Sequence, residues 1–359
     1  MTTINLDDYQ IHFGAFGARL REYLYEGKYN QVFIIVDEHT RVDCLPFLEK
    51  EIGKTSTKVI EIESGEINKN ITTCTKVWAE MMEQEAGRKD LTINLGGGVI
   101  GDMGGFCAST FKRGMDFIQM PTTLLSQVDA SVGGKLGIDF AEIKNSIGLF
   151  KNPLAVIIWP QFLETLPARE LRSGFAEVIK HSLITSKEQW MALQHIKKLN
   201  VTHAISFLEK SVLIKKNIVE ADPFESGLRK VLNFGHTIGH ALESYALKTD
   251  KPLLHGEAIA AGRICESYLS LEKGLSRTDL DQITQFLLKH YGKFDFEIDI
   301  YPRLMALMQQ DKKNETDEIN FTMLKSPGKA LFNQFASEKK IIASLDYYRN
   351  QEKFEHLQS

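Results

Sequence analysis

No charge of one sign dominates this chain, no close cysteine pair recurs in it, and no long apolar run interrupts it. Its 359 residues carry 43 Lys+Arg against 47 Asp+Glu, and a net charge of −4 exerts no overall pull on nucleic acid or an anionic membrane. The four cysteines (Cys44, Cys74, Cys107, Cys265) are scattered, with no Cys-x-x-Cys spacing. That usage fits a reduced, cytoplasmic protein better than a disulfide framework. The opening MTTINLDDYQ has no basic stretch followed by an apolar core, so no secretory signal is expected there. An uncharged apolar run of about 18 residues is also missing, which excludes a helix that spans a bilayer. Repeats and low-complexity tracts are absent. A hydrophobic content of 43% over this length can bury a large core, with room for two domains.

The two halves of the chain have different rhythms. Up to about residue 160, short apolar runs at Val32–Val36, Val59–Ile62, Leu91–Leu95, Phe117–Met120 and Ala155–Trp159 alternate with helical spacing such as Ile71–Glu85. This alternation predicts an α/β, Rossmann-like nucleotide-binding domain over residues 1–168 with a parallel sheet. Beyond it, RELRSGFAEVIKHSLI, HAISFLEKSVLIKKNIVEA, KVLNFGHTIGHALESYAL and GEAIAAGRICESYLSL each carry an apolar stripe of helical period. An all-α domain is therefore expected over 169–359. Ser276 to Asp279 reads as a capping box, and a small hairpin is expected around Ile319–Leu324 and Ala330–Phe332, with Pro327-Gly328 in its turn.

Against this background, glycine, histidine and lysine are placed unevenly. Gly96-Gly97-Gly98-Val99-Ile100-Gly101-Asp102 follows the apolar run LTINL, so a pyrophosphate can sit on the glycine amides and the start of the next helix. The ribose-binding acid expected about 20 residues later is missing. Asp37, at the end of IIVD, and Glu66, in SGEINKN with Lys69, are candidates to replace it. Nucleotide binding outside the standard dinucleotide pattern follows.

His236 and His240, in NFGHTIGHALE, are four apart and share a helix face. With His255 in LLHGEA and Glu177 in GFAEVIKH, they make a set of donors suited to zinc or a similar divalent ion. His181, His195, His203 and His290 lack such surroundings and read as packing or surface residues. Between Pro121 and Asp139, PTTLLSQVDASVGGKLGID packs Thr122, Thr123, Asp129, a Gly-Gly pair and Lys135 together, with Lys144-Asn145 soon after. Such density points to an anionic, polyhydroxylated small molecule. Lys180, Lys215, Arg229 and Lys312-Lys313 add cations beside glycine, asparagine or a candidate ligand, enough to hold a substrate with more than one negative group. Lys180 lies three residues past Glu177, on the same helix face.

Taken in order, GGGVIGDMGGF, RGMDFIQMPTTLLSQVDASVGGK, KNSIGLF, LPAREL, GFAEVIKH, GLRKVLNFGHTIGHALE, LLHGEA and DKKN resemble the 3-dehydroquinate synthase family over nearly the whole chain. The resemblance implies that 3-deoxy-D-arabino-heptulosonate 7-phosphate becomes 3-dehydroquinate plus phosphate. It also implies a bound NAD, one divalent metal (zinc or cobalt) and a homodimer. Transient oxidation, β-elimination of phosphate, re-reduction and an intramolecular aldol would follow one another on a single substrate.

Matched residue by residue, the resemblance makes Glu177, His236 and His255 the metal ligands and turns His240 to the substrate. It assigns NAD to Asp37, Glu66, Lys69, Gly97, Gly98, Val99, Asp102, Thr122, Thr123, Asp129, Lys144 and Thr165. Substrate would meet Asp129, Lys135, Lys144, Asn145, Lys180, Lys215, Arg229, Asn233, His240 and a lysine of the Lys312-Lys313 pair. Arg113 would reach the neighbouring subunit's site. The chain departs from the family pattern at Leu136, Ile143, Lys151-Asn152, Ser173 and Phe175, which bears on loop shape and substrate choice rather than on reaction class. Two rivals remain: another sugar-phosphate cyclase, whose substrate lacks the carboxylate, and a metal-dependent polyol dehydrogenase, which would have no use for the dense lysine set.

Overall fold

Apolar runs that are buried on both faces become the strands of one parallel sheet. The computed structural model describes residues 2–352 other than 28, 54, 142, 248 and 312–318. The chain divides into one unit of Met1–Pro167 with Ile205–Glu220 and another of Ala168–Ala204 with Ala221–Ser359. The expected division at 168/169 lies beside the first of these boundaries.

The first unit holds β1 (Thr2–Asn5), β2 (Gln10–Phe13), β3 (Val32–Asp37), β4 (Thr57–Ile62), β5 (Leu91–Gly96), β6 (Asp116–Pro121), a separate hairpin of β7 (Lys135–Phe140) and β8 (Ile143–Phe150), and β9 (Ala155–Ile158). The sheet runs β1-β2-β9-β6-β5-β3-β4, and every pairing is parallel except β1 with β2. Successive side chains leave opposite faces. Val32, Ile34 and Val36 therefore join the core under α1 (Gly17–Gly27), α2 (Glu38–Asp43) and α3 (Leu45–Ile52). Phe33 and Ile35 join the core under α4 (Ile71–Glu83) and α5 (Gly98–Thr110).

The five expected strands are all present, though Trp159 falls just outside β9. The sequence rhythm did not anticipate β1, β2 or the hairpin. Leu136, one of the departures, is buried in the core beneath α5. Chain order reverses between β3 and β5, the kind of crevice where open α/β sheets bind ligands at their strand carboxyl ends.

The second unit contains α6 (Ala168–Thr185), α7 (Lys187–Gln194), the ends of α8 (Val201–Ala221), α9 (His236–Ala246), α10 (His255–Leu269), α11 (Arg277–Tyr291), α12 (Tyr301–Asp311), the hairpin β10 (Ile319–Ser326) and β11 (Lys329–Ala336), and α13 (Glu338–Arg349). Helix α10 is buried almost all round, which marks it as the central helix. One expectation is corrected here. KVLNFGHTIGHALESYAL is not one helix: Leu228–Asn233 is a tight 3₁₀ segment and α9 starts only at His236. The cause is Gly235, whose φ of +87° is left-handed and whose added Cβ would lie 2.2 Å from Arg263 Cγ. Among the described residues, no helix is long and apolar enough to cross a membrane.

Candidate functional site

In the first unit the nucleotide elements gather at strand ends. Gly97 caps α5 without offering a side chain, so the first-turn amides of the helix stay open to an anion. A Cβ at Gly97 would stand 3.1 Å from Thr123, and that close approach fits a bound phosphate lying on backbone. Val99 packs half-buried on the core beside this turn. Thr122 is held by its N–H donating to the Gly96 carbonyl at 3.0 Å, and Thr123 exchanges hydrogen bonds with Ser126.

Glu66, Lys69, Asp102, Lys144 and Asn145 form one network. The Lys69 ammonium donates to Asp102 Oδ2 and Asn145 Oδ1, each at 2.6 Å, and Lys144 lies 3.5 Å from Glu66. Burial works to lower the Lys69 pKa, but Asp102 and Glu66 outweigh it and push the ammonium up to about 12. Asn145 adopts a left-handed φ of 50°, and its N–H donates to Asp139. Lys215, on the part of α8 that belongs to this unit, ion-pairs with Asp129. Lys135 opens β7 and is exposed.

Three assignments stand apart from this network. Asp37 caps α2 by accepting from Thr40 at 2.7 Å. Thr165 is exposed after a short 3₁₀ turn. Arg113 is exposed beyond the far end of α5, about 20 Å along the helix from Gly98 at 1.5 Å per residue.

In the second unit Glu177, His236 and His255 come together from α6 and the first residues of α9 and α10, with one donor atom from each lying within 4.8 Å of the others. Glu177 is fully buried. Its Oε2 lies against the Lys180 ammonium, and its Oε1 accepts from Arg263 at 2.7 Å. Burial alone would raise the Glu177 carboxyl, but Lys180 and Arg263 hold it well below the ordinary carboxylate range. Burial also lowers the His236 pKa far below normal, giving the neutral imidazole that a metal requires. His236 Nδ1 meets the Phe234 carbonyl at 3.2 Å, which leaves Nε2 for an ion. A buried carboxylate beside two imidazoles is a donor set that fits a divalent metal.

His240 sets its ring edge-on to His236 and tilted to His255, at 5.2 and 5.9 Å between centroids. With Glu243 and His255 it makes a second, overlapping donor group, and Glu243 Oε2 lies 3.5 Å from His255 Nδ1. Ser173, another departure, accepts from the Gly256 N–H at 2.9 Å and so ties the start of α10 to α6. Arg229 is buried, with its backbone N–H on Asp222 and its Nη1 on the Pro223 carbonyl. Asn233 donates to Glu225 at 2.8 Å. His181 is buried in α6 and His290 in α11, whereas His195 is exposed and His203 half-exposed. Lys312 and Lys313 lie outside the described residues. Reading the sequence did not single out Glu243, Arg263 or Glu266. The only available signal for the last two was a pair of charges inside the apolar stripe of α10.

Comparison with known proteins agrees with this geometry. Residues 59–173 match the family model for the 3-dehydroquinate synthase N-terminal region, and residues 174–314 match that for its C-terminal region. A 3-dehydroquinate synthase of Parabacteroides distasonis is 42% identical over 335 residues, covering 92% of this chain and 95% of its own. Among solved structures, a 2-deoxy-scyllo-inosose synthase complexed with carbaglucose-6-phosphate, NAD+ and Co2+ shares the fold. Its TM-score is 0.85 at 21% identity, over 97% of this chain and 100% of its own. The 2-epi-5-epi-valiolone synthase of Streptomyces hygroscopicus, with NAD+ and Zn2+ bound, scores 0.82 at 24% identity, over 97% and 98%.

Proposed function

The chain belongs to the 3-dehydroquinate synthase family, and on that premise we propose that it converts 3-deoxy-D-arabino-heptulosonate 7-phosphate to 3-dehydroquinate and phosphate. One observation carries the reading: a buried carboxylate, two imidazoles and an ammonium, from Glu177, His236, His255 and Lys180, share one spot in the second unit. A neutral polyol would not need the ammonium; an anionic substrate held at a metal would. Glu177, His236 and His255 are the ligands in this reading. When bound, the divalent ion (zinc or cobalt) would supply a Lewis acid for a substrate hydroxyl, and NAD would supply a reversible hydride acceptor with no net redox change.

The chain's own groups do the rest. Gly97, Gly98, Val99, Asp102, Thr122, Thr123, Glu66, Lys69, Asp37 and Thr165 seat the nucleotide. Lys135, Lys144, Asn145 and Lys215, with Asp129, and Lys180, Arg229, Asn233 and His240, orient the carboxylate, phosphate and hydroxyls. Holding reacting groups of one molecule in line raises their effective concentration to roughly 10⁵ M or more, which is how one enzyme can serve several steps. Phosphate release from the heptulosonate phosphate, lost on thorough chelation and restored by zinc or cobalt without net NADH, is the expected result. Stoichiometric NADH would move the chain to the dehydrogenases. Equal turnover of sedoheptulose 7-phosphate, which lacks the carboxylate, would move it to the other cyclases.

The same reading makes the protein a cytoplasmic homodimer in which Arg113 completes the neighbour's site. Its exposure, and its distance from its own chain's glycine turn, support that role. Mixing Arg113→Ala with Lys135→Ala chains under subunit exchange should recover part of the activity. No recovery in proven heterodimers would remove Arg113 from the neighbour's site.

A further inference from the structure

Arg263 belongs to none of the roles above, yet it is among the most enclosed charges in the protein, with 0% of its surface exposed. It lies on α10, two turns past His255, among small and apolar residues. A guanidinium in such a place is costly unless its N–H groups are matched. Its Nη2 donates to Glu177 Oε1 at 2.7 Å, Nη1 to the Ala176 carbonyl, and Nε to the Phe234 carbonyl at 3.3 Å.

These partners stand beside the candidate metal ligands. Ala176 and Glu177 are on α6. Phe234 comes two residues before His236 and also accepts from that imidazole. The helix that carries Arg263 begins with His255. One turn further along α10, Glu266 accepts from the Gly235 N–H at 2.6 Å and the Ile238 N–H at 3.3 Å, and so grips the start of α9. Glycine permits this closeness: a Cβ on Gly262 would lie 2.2 Å from the Gly235 carbonyl oxygen. A planar fork of five donors can serve three acceptors in fixed directions, which neither a lysine nor an apolar side chain can do.

We propose that Arg263 is a positioning residue for the metal centre, aligning the three ligand-bearing elements before any ion arrives. Its bond to Glu177 Oε1 fixes the rotation of a carboxylate whose Oε1 lies 3.9 Å from His255 Nε2 and whose Oε2, against the Lys180 ammonium, lies 3.9 Å from His236 Nε2. The inference rests on the metal reading above and adds to it a residue that touches no substrate and no metal. Removing such an outer partner typically weakens metal binding about 10–100-fold.

The test titrates the metal-free full chain with Co2+ against a chromophoric chelator, and records both the affinity and the visible Co2+ absorption. Arg263→Met, which keeps length and removes every donor, is expected to bind about 10–100-fold more weakly with an altered absorption band. Arg263→Lys, which keeps one donor for Glu177 but not the fork, is expected to fall between that variant and the parent. An arginine that only holds the core together would lower the metal-free unfolding midpoint and leave affinity and band unchanged, which overturns the proposal. If Arg263→Met does not fold, an Arg263→Lys protein as tight as the parent overturns it equally. A His236→Ala control separates the two levels. If the parent binds no Co2+, or the control binds as well as the parent, the metal reading fails and this proposal with it. If the control loses binding while Arg263→Met keeps it, this proposal fails alone.

Discussion

The proposed nucleotide region of the first unit is built from backbone and the proposed metal site of the second from side chains, and they balance charge in different ways. At the glycine turn the groups offered to a ligand are helix amides, and the surrounding ions, Lys144 with Glu66 and Lys215 with Asp129, keep some access to water. Around Glu177 there is almost none. Glu177, Lys180 and Arg263 are all essentially buried, so the two cations depend on the one carboxylate between them. A backbone site tolerates the loss of one side chain, whereas a buried side-chain site transmits that loss to the fold.

The largest effect should come from breaking the buried set. Glu177→Gln would lower turnover by at least about a thousandfold, since Lewis acidity contributes several kcal/mol and each 1.36 kcal/mol is tenfold. It would also leave Lys180 and Arg263 without a countercharge, at a cost of about 3–5 kcal/mol in stability. Phosphate release and urea unfolding of the metal-free protein measure the two parts. A variant as stable as the parent would mean that the carboxylate is not what offsets the cations.

A smaller and more local effect is expected in the first unit. Lys69→Met removes the buried ammonium that Asp102 and Asn145 share. With charged hydrogen bonds worth about 1.5–3 kcal/mol, NAD should bind roughly 10–100-fold more weakly. Co2+ affinity, by contrast, should not change. Calorimetric titration of both ligands into both variants sharpens the contrast, and an Lys69→Met protein that loses Co2+ as well would break it.

What could be read in the sequence divides along the same line. Strand cores such as Val32–Val36 are continuous apolar runs because parallel strands are covered on both faces, and GGGVIGD directly after LTINL marks a backbone site. The hairpin was hidden because KLGIDF and IKNSIGLF mix glycine and polar residues without clean alternation. For the metal, the i, i+4 spacing put His236 and His240 on one face, and both do lie there. Spacing could not say which of them faces Glu177, and even the folded geometry keeps a second group of His240, Glu243 and His255 within reach. Arg263 and Glu266 read as flaws in an apolar stripe until α6 and α9 supply their partners.

The smallest effect concerns a loop of the second unit that leads into Arg229. Asp222 accepts from the N–H groups of Ser226 at 3.0 Å, Gly227 at 2.7 Å and Arg229 at 3.0 Å, and from the Ser226 hydroxyl at 3.1 Å. Burial works to raise this carboxyl, but the backbone donors outweigh it and bring it from an ordinary 3.8 down to about 2. An acid whose folded pKa lies below its unfolded one binds fewer protons when folded, so stability rises with pH through the window between the two values. The contribution of Asp222 is therefore complete above about pH 4 and disappears as pH falls toward about 2. Asp222→Asn should lower the urea midpoint of the metal-free protein near pH 6 and match the parent at the acid end of that window, while NAD affinity stays as it was. A gap of constant size at every pH would assign the loop's strength to the shape of its hydrogen bonds rather than to the charge that receives them.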